Sequence, residues 1–172
     1  MPDAVTIGQL RVELAGVLAR AGIEEPVRET LQILAAVLDL PVTRLYADPG
    51  RPVEPDSARH LRALAARRAS HAPLAYLTGQ VHFAGLTFAV GPGSLIPRPD
   101  SEVLVETARR IILDEIWPLR AACSASLNII DTCTGSGCIG ISLAVQLQRT
   151  GCPVRLSLID MDEEALIWAG RN

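Results

Sequence analysis

The chain has 172 residues, of which 49% are hydrophobic and 20% charged, and its net charge is -3. This composition is typical of a folded globular protein, and the slight negative charge argues against a surface built as a whole for nucleic acid. No apolar run reaches the roughly 18 residues that span a bilayer, and the first residues lack the basic and apolar parts of a secretory signal. We therefore expect a cytoplasmic protein.

The first part of the chain has helical periodicity and little strand signal. A capping-box pattern at Thr6–Gln9 predicts the first helix, and Pro26 suits the first position of the second. The third is predicted to open near Asp56 or Ser57. Their apolar stripes predict a small helical bundle over residues 1–75. The stripe residues are Leu10, Leu14, Val17, Leu18, Val27, Leu31, Leu34, Leu38, Leu61, Leu64 and Ala65.

The third helix of this bundle also carries a group of basic residues, Arg59, Arg62, Arg67 and Arg68. Two interpretations stay open for them. The arginines form either a solvated polar face or a docking patch for RNA or an acidic protein.

Residues 76–100 are predicted to form a β-hairpin and a proline-rich connector. Aromatic and β-branched residues flank Ala84–Gly85, which suits a hairpin turn, and the following prolines stiffen the chain. Asp100 or Ser101 is then predicted to cap a helix that Pro118 ends. Its predicted apolar side consists of Val103, Leu104, Ala108, Ile111 and Ile112.

The last part of the chain alternates strand, helix and strand. Residues 127–130 and 154–159 are short apolar runs suited to buried parallel strands, and residues 138–150 form the helix that joins them. We predict an α/β fold over residues 101–172: the start of a Rossmann-like domain, incomplete after about two strands.

A glycine-rich turn follows the first of these strands. Gly135, Gly137 and Gly140 fit the pattern G-x-G-x-x-G, and Asp160 follows the next strand, where an acid can bind ribose hydroxyls. Nicotinamide dinucleotides and S-adenosylmethionine share this ribose contact. Asp131 ends the strand before the turn, where a carboxylate would repel a pyrophosphate but suits a sulfonium and an amino group. The pattern therefore favours S-adenosylmethionine, although Asp131 could also be a residue that caps the loop.

The sequence also resembles a known family. The stretch RRASHAPLAYLTGQVHFAGLTFAVGPGSLIPRPDSEVLVE, with DTCTGSGCIG and LIDMDEEAL after it, is similar to the bacterial protein-(glutamine-N5) methyltransferases of peptide chain release factors (PrmC or HemK). This resemblance implies a class I methyltransferase domain, S-adenosylmethionine as cofactor and release factors as partners, docked in part by the arginine-bearing helix. Independently of the resemblance, Arg98 lies between two prolines, and we expect it to position the cofactor or substrate, with a structural salt bridge as the alternative. The implied cofactor-binding residues are Asp131, Cys133, Thr134, Gly135, Ser136, Gly137 and Asp160.

The resemblance further implies methylation of the side-chain amide nitrogen of the glutamine in the GGQ motif. Relatives use an Asn-Pro-Pro-Tyr element for this step, and that element does not occur in these residues. We therefore expect the catalytic residues beyond Asn172, and expect this chain alone to be inactive, to bind the cofactor weakly and to aggregate through its sheet edge. The alternatives are a ribosomal-protein glutamine methyltransferase, a nicotinamide-dependent oxidoreductase, and a non-catalytic fragment that binds a translation factor. The spacing of the four cysteines, Cys123, Cys133, Cys138 and Cys152, predicts no metal site.

Overall fold

The computed structural model describes residues 5–120 and 126–172, apart from the side chain of Arg120. One of the four cysteines, Cys123, lies outside the described residues. The chain divides into two compact units, Met1–Thr78 and Gly79–Asn172. None of the described helices is both long enough and apolar enough to span a membrane.

The first unit is the predicted helical bundle. Its helices are α1 (Ile7–Arg20), α2 (Pro26–Leu38), α3 (Val42–Ala47), α4 (Pro55–Ala69) and α5 (Leu74–Thr78). The predicted capping box is present: the Thr6 hydroxyl accepts from the Gln9 backbone nitrogen, and the Gln9 side chain accepts from the Thr6 nitrogen. Helices α3 and α5 were not predicted, because six or five residues are too few for helical periodicity to be recognised.

The core of the bundle contains most of the predicted stripe residues. Those that are buried include Leu10, Leu14, Leu18, Leu31, Leu34, Leu61, Leu64 and Ala65. The prediction was wrong for Val27, whose surface is 51% exposed. Val27 lies at the N-terminal end of α2 and lines an open groove with Val42 and Tyr46, because α3 packs beside α2 without covering it.

The second unit begins with the predicted hairpin, made of β1 (Gln80–Phe83) and β2 (Leu86–Ala89). Ala84 and Gly85 both have positive φ, +48° and +78°, which is the geometry of a tight hairpin turn matched to the strand twist. Glu102 accepts from the Ala84 nitrogen, and Gln146 donates to the Ala84 carbonyl, so the turn is fixed from both sides. Residues 76–78, predicted with the hairpin, belong to α5 instead.

The helix after the connector differs from the prediction in three ways. A 3-10 turn (Pro99–Ser101) precedes α6 (Glu102–Ile111), and Ser101 stands at the N-cap without a side-chain hydrogen bond to the helix. Pro118 does not end the helical run, because a π-helical stretch (Ile112–Ile116) leads into α7 (Trp117–Arg120), and such a widened turn accommodates the missing N–H of proline.

The buried face of α6 also differs. Val105 is buried, with Ala108 and Ile112 packed beside it, whereas Val103 is 69% exposed and Leu104 and Ile111 are exposed as well. Apolar residues occupy three consecutive positions at the start of α6, and packing against α8 (Cys138–Arg149) selects one of them. Periodicity alone does not make that choice.

The predicted strand–helix–strand unit is confirmed. Strand β3 (Leu127–Thr132) pairs in parallel with β4 (Val154–Ile159), and α8 (Cys138–Arg149) connects them. Helix α9 (Glu163–Arg171) follows β4. The core of this unit joins Phe83 and Phe88 of the hairpin to α6, α8 and the strand β3. The first strand is two residues longer than predicted, so Asp131 lies within β3.

Candidate functional site

The glycine-rich loop between β3 and α8 is a tight turn that begins where β3 ends. Cys133, Gly135 and Gly137 have φ values of +60°, +56° and +80°, so alternate residues of the loop adopt a left-handed backbone conformation. This conformation costs little for glycine, whereas Cys133 adopts it against the preference of a residue with a side chain. A Cβ atom on Gly137 would lie 2.7 Å from Ile141 Cδ1, so the loop packs closely on the first turn of α8.

Asp131 holds this loop in place with one carboxylate oxygen. Its Oδ2 accepts hydrogen bonds from the Thr134 hydroxyl at 2.7 Å and from the Gly140 nitrogen at 3.0 Å. Its other oxygen, Oδ1, has no hydrogen-bond partner in the part of the chain that the structure describes. Asp131 therefore caps the loop with Oδ2, and its Oδ1 is available to accept a hydrogen bond from a further donor.

Asp160, which follows β4, reaches the same loop. Its Oδ2 accepts from the Gly135 nitrogen at 2.8 Å, and its Oδ1 accepts from the Asp162 nitrogen at 3.1 Å. The hydrogen bond from Gly135, followed by that from Asp162, lowers the pKa of the Asp160 carboxyl below its usual value of 3.8. A carboxylate oxygen has the capacity to accept a second hydrogen bond, so these bonds orient Asp160 without saturating it.

These residues fit S-adenosylmethionine. Nothing lies within 4 Å of where a Cβ on Gly135 would stand, so the loop is open at its centre. The Ser136 hydroxyl is buried and finds no hydrogen-bond partner among the described residues. The edge of the sheet carries the Asp131 and Asp160 carboxylates, which suit the ammonium group and the ribose hydroxyls of the cofactor better than they suit a pyrophosphate.

Comparison with known proteins agrees with this geometry. The family model described as PrmC N-terminal domain matches residues 9–79. A release factor glutamine methyltransferase of Geobacter sulfurreducens is 40% identical over 171 residues, which is 99% of this chain and 55% of that relative. Over nearly its whole length the chain is homologous to the N-terminal half of release factor glutamine methyltransferases.

Further relatives in the release factor glutamine methyltransferase family give the same picture. The enzyme of that name from Moorella thermoacetica is 36% identical over 168 residues, covering 98% of this chain and 55% of the relative. The one from Nitratidesulfovibrio vulgaris is 35% identical over 159 residues, covering 90% of this chain and 48% of the relative. The chain thus spans about half the length of the curated relatives it matches.

Arg98, for which the sequence analysis predicted a positioning role, lies in the connector after the hairpin. Its backbone is extended, its side chain is exposed, and its carbonyl accepts from the Ser101 nitrogen at the 3-10 turn. No hydrogen bond or ion pair joins its guanidinium to another described residue. The structure therefore shows no structural salt bridge for Arg98 among the described residues, and its positioning role stays a prediction.

The arginine-bearing helix α4 has much of its charge neutralised within the bundle. Arg62 donates two hydrogen bonds to Glu13, and Arg68 donates two to Glu29. Arg59 pairs with Asp56 one turn earlier. Arg67 is exposed and makes no ion pair with another described residue. Of the four arginines, Arg67 offers the least compensated charge for a partner protein.

Sequence reasoning missed one residue that contacts the loop. The Asn172 side chain donates to the Ser136 carbonyl at 3.0 Å. The spacing of Glu164, Trp168 and Asn172 places them on one helical face. The hairpin and connector residues that Trp168 and Asn172 contact are 76 and 83 positions earlier in the chain, so the sequence did not identify them.

Proposed function

We propose that this chain forms the docking and cofactor-loop part of an S-adenosylmethionine-dependent methyltransferase of the cytoplasm. The substrate is the glutamine of the GGQ motif in peptide chain release factors, methylated at its side-chain amide nitrogen, N5. One observation carries the proposal: a glycine loop held between two carboxylates, Asp131 and Asp160, at the carboxyl end of two parallel strands. The names of the relatives support the substrate class.

In this proposal different residues of the chain bind different parts of the cofactor. S-adenosylmethionine, when bound, supplies a methyl group on a positively charged sulfur. Asp131 uses its remaining oxygen for the ammonium group, and Asp160 accepts hydrogen bonds from the ribose hydroxyls. The loop residues Cys133, Thr134, Gly135, Ser136 and Gly137 give the backbone surface on which the methionine part rests.

The reaction places a requirement on the rest of the site. Methyl transfer forms an N–C bond at the glutamine amide, breaks the C–S bond of the cofactor and releases one proton from the nitrogen. An amide nitrogen is a poor nucleophile because its lone pair is delocalised into the carbonyl, so acceptors must hold the NH2 group and orient it. In this proposal the described residues supply the cofactor contacts, and the catalytic role falls to an Asn-Pro-Pro-Tyr element like that of relatives.

Cofactor binding is tested by photochemical cross-linking of radiolabelled S-adenosylmethionine to the 172-residue chain, a method that captures weak binding. We expect S-adenosylhomocysteine to compete and NAD not to compete. Asp160→Asn should reduce labelling, whereas the matched control Asp48→Asn, an exposed aspartate of the helical bundle, should not. Competition by NAD alone would favour an oxidoreductase, and labelling that is equal in the two variants would remove Asp160 from the site.

Substrate and docking need a second experiment. The coding frame is read past the codon for Asn172, and the product of that frame is incubated with labelled cofactor and a release factor. We expect labelling that disappears when the GGQ glutamine is replaced. Labelling of a ribosomal protein instead would support the sister enzyme. Binding of a release factor to the 172-residue chain should weaken for Arg67→Glu more than for Arg59→Glu, and binding without any methylation by the longer product would support a non-catalytic binding protein.

A further inference from the structure

One face of α9 packs against the segment that leaves the hairpin. The Trp168 indole nitrogen donates to the Pro92 carbonyl at 3.1 Å. A Cβ atom on Gly91 would lie 2.6 Å from Cη2 of the same indole, and a Cβ on Gly93 would lie 3.1 Å from Cβ of Glu164. Glycines at these two positions therefore allow the connector to lie directly on the helix.

Asn172 extends this face by one more helical turn. Its Oδ1 accepts from the Ala89 nitrogen at 2.7 Å, and its Nδ2 donates to the Ala89 carbonyl at 3.1 Å. The carboxamide thus pairs with the last residue of β2 as a peptide group of a neighbouring strand would. Its Nδ2 also donates to the carbonyl of Ser136 at 3.0 Å, so both amide hydrogens are used.

The glycine loop is consequently tied to both ends of α9. Asp160 lies just before the helix and accepts a hydrogen bond from the Gly135 nitrogen. Asn172 lies just after the helix and donates to the carbonyl of Ser136, the loop residue that follows Gly135. These two ties hold consecutive residues of the loop, through the nitrogen of Gly135 and the carbonyl of Ser136. The second tie also reaches the hairpin, which the first does not.

We propose that Asn172 is a positioning residue that couples the shape of the glycine loop to the edge of β2 and the connector beyond it. The functional side of this inference rests on the cofactor role proposed above for the loop. An amide is required at this position because one oxygen accepts from Ala89 while one nitrogen serves two carbonyls. A carboxylate keeps the acceptor and loses both donors.

The test is hydrogen–deuterium exchange of the 172-residue chain, read in peptides that cover residues 86–92 and 133–141. In Asn172→Asp we expect roughly 3- to 10-fold faster exchange in the loop peptide, the factor that follows from losing one hydrogen bond. The change at Ala89 should be smaller, because the Ala89 nitrogen keeps its bond to a carboxylate oxygen although the Ala89 carbonyl loses its donor. In Asn172→Ala both peptides should exchange faster. Asn128→Asp is the matched control, because Asn128 is the other asparagine of the chain and is exposed on β3; it should change neither peptide.

Two results would overturn the proposal. Unchanged exchange in the loop of Asn172→Asp shows that the bond to Ser136 does not hold the loop. An equal increase in both peptides for Asn172→Asp shows that the side chain only docks α9. Circular dichroism verifies that each variant folds. If the aspartate variant unfolds, Asn172→Ser replaces it in the test: serine, like alanine, is too short to reach both Ala89 and Ser136, so this variant must also show faster exchange in the loop.

Addition of S-adenosylmethionine separates this inference from the proposed function. In the wild-type chain we expect the cofactor to protect the loop peptide and, through Asn172, the peptide that covers residues 86–92. In Asn172→Asp the second protection should be lost. If the cofactor protects neither wild-type peptide, the proposed binding by this chain fails, while the exchange of the variants without cofactor still decides whether Asn172 positions the loop.

Discussion

The backbone nitrogen of Gly140 lies 3.0 Å from Oδ2 of Asp131, and this bond joins the first turn of α8 to the end of β3. A Cβ atom at position 140 would lie 2.9 Å from both Cβ and Oδ2 of Asp131. The third glycine of the loop pattern is therefore required for close packing of helix on strand, since its backbone is ordinary helix.

Replacing this glycine should destabilise the second unit. We expect Gly140→Ala to lower the free energy of unfolding by about 1–3 kcal/mol, the usual cost of forcing extra atoms into a packed site. Urea unfolding followed by circular dichroism measures it. The control is Gly170→Ala in α9, where nothing lies within 4 Å of the added atom, and where alanine should raise the free energy of unfolding by roughly 0.5–1 kcal/mol. Shifts in the same direction for both variants would contradict this account.

Asp160 makes part of the stability depend on pH. Hydrogen bonds from Gly135 and then Asp162 lower its pKa in the folded chain below 3.8. The unfolded chain therefore takes up this proton first as pH falls, so the stabilisation is complete above about pH 5 and is lost as pH drops through the lowered pKa. We expect Asp160→Asn to be less stable than the wild type at neutral pH, by an amount that shrinks below about pH 4.

Urea unfolding of both proteins between about pH 7 and pH 3 measures this difference. Asp48→Asn is the control, because the Asp48 side chain makes no hydrogen bond in the described part of the chain. A difference between wild type and Asp160→Asn that stays constant down to pH 3 would show that the loop does not favour the ionised carboxylate.

The strand–helix–strand unit and its loop were predictable because local signals agree. Apolar strand runs flank a glycine pattern, and an acid lies at or just after the end of each strand, so Asp131 and Asp160 could be assigned to one edge of the sheet. Their partners were not predictable to the same degree. Asp131 accepts hydrogen bonds from Thr134 and Gly140 because of the path that the loop takes in three dimensions. The spacing of residues in the sequence does not reveal that path.

Several features that sequence reasoning missed depend on distant contacts. Val103 and Val105 are equally apolar, so the sequence does not show which of them is buried. Packing of α6 against α8 buries Val105. Asn172 pairs with Ala89, 83 positions earlier in the chain. A single sequence carries no signal for such a pair, because neither residue has a local pattern that requires the other.

The ion pairs of the arginine-bearing helix should differ in strength according to their exposure. Arg68 and Glu29 have side chains only 17% and 16% exposed and share two hydrogen bonds, whereas Arg59 and Asp56 are both largely exposed. A double-mutant cycle with Arg68→Met and Glu29→Gln should give a coupling energy of about 1–3 kcal/mol, as expected for charge-assisted bonds that are largely screened from water.

The same cycle with Arg59→Met and Asp56→Asn is the comparison, and there we expect about 0–0.5 kcal/mol. Urea unfolding gives all the values. Equal coupling energies in the two cycles would mean that Glu29 does not stabilise the bundle through Arg68. Arg68 would then again be a candidate for docking a partner.

The cysteines should differ sharply in reactivity. Cys133 is exposed in the glycine loop, whereas Cys138 and Cys152 are buried, and burial raises the pKa of both thiols. Because the thiolate is the reactive form, iodoacetamide at about pH 8 should label Cys133 well before the other two in the folded chain, and all three at similar rates in urea. Peptide mass spectrometry assigns each site, including Cys123, separately. Native labelling of Cys152 as fast as that of Cys133 would show that the second unit opens on the timescale of the reaction.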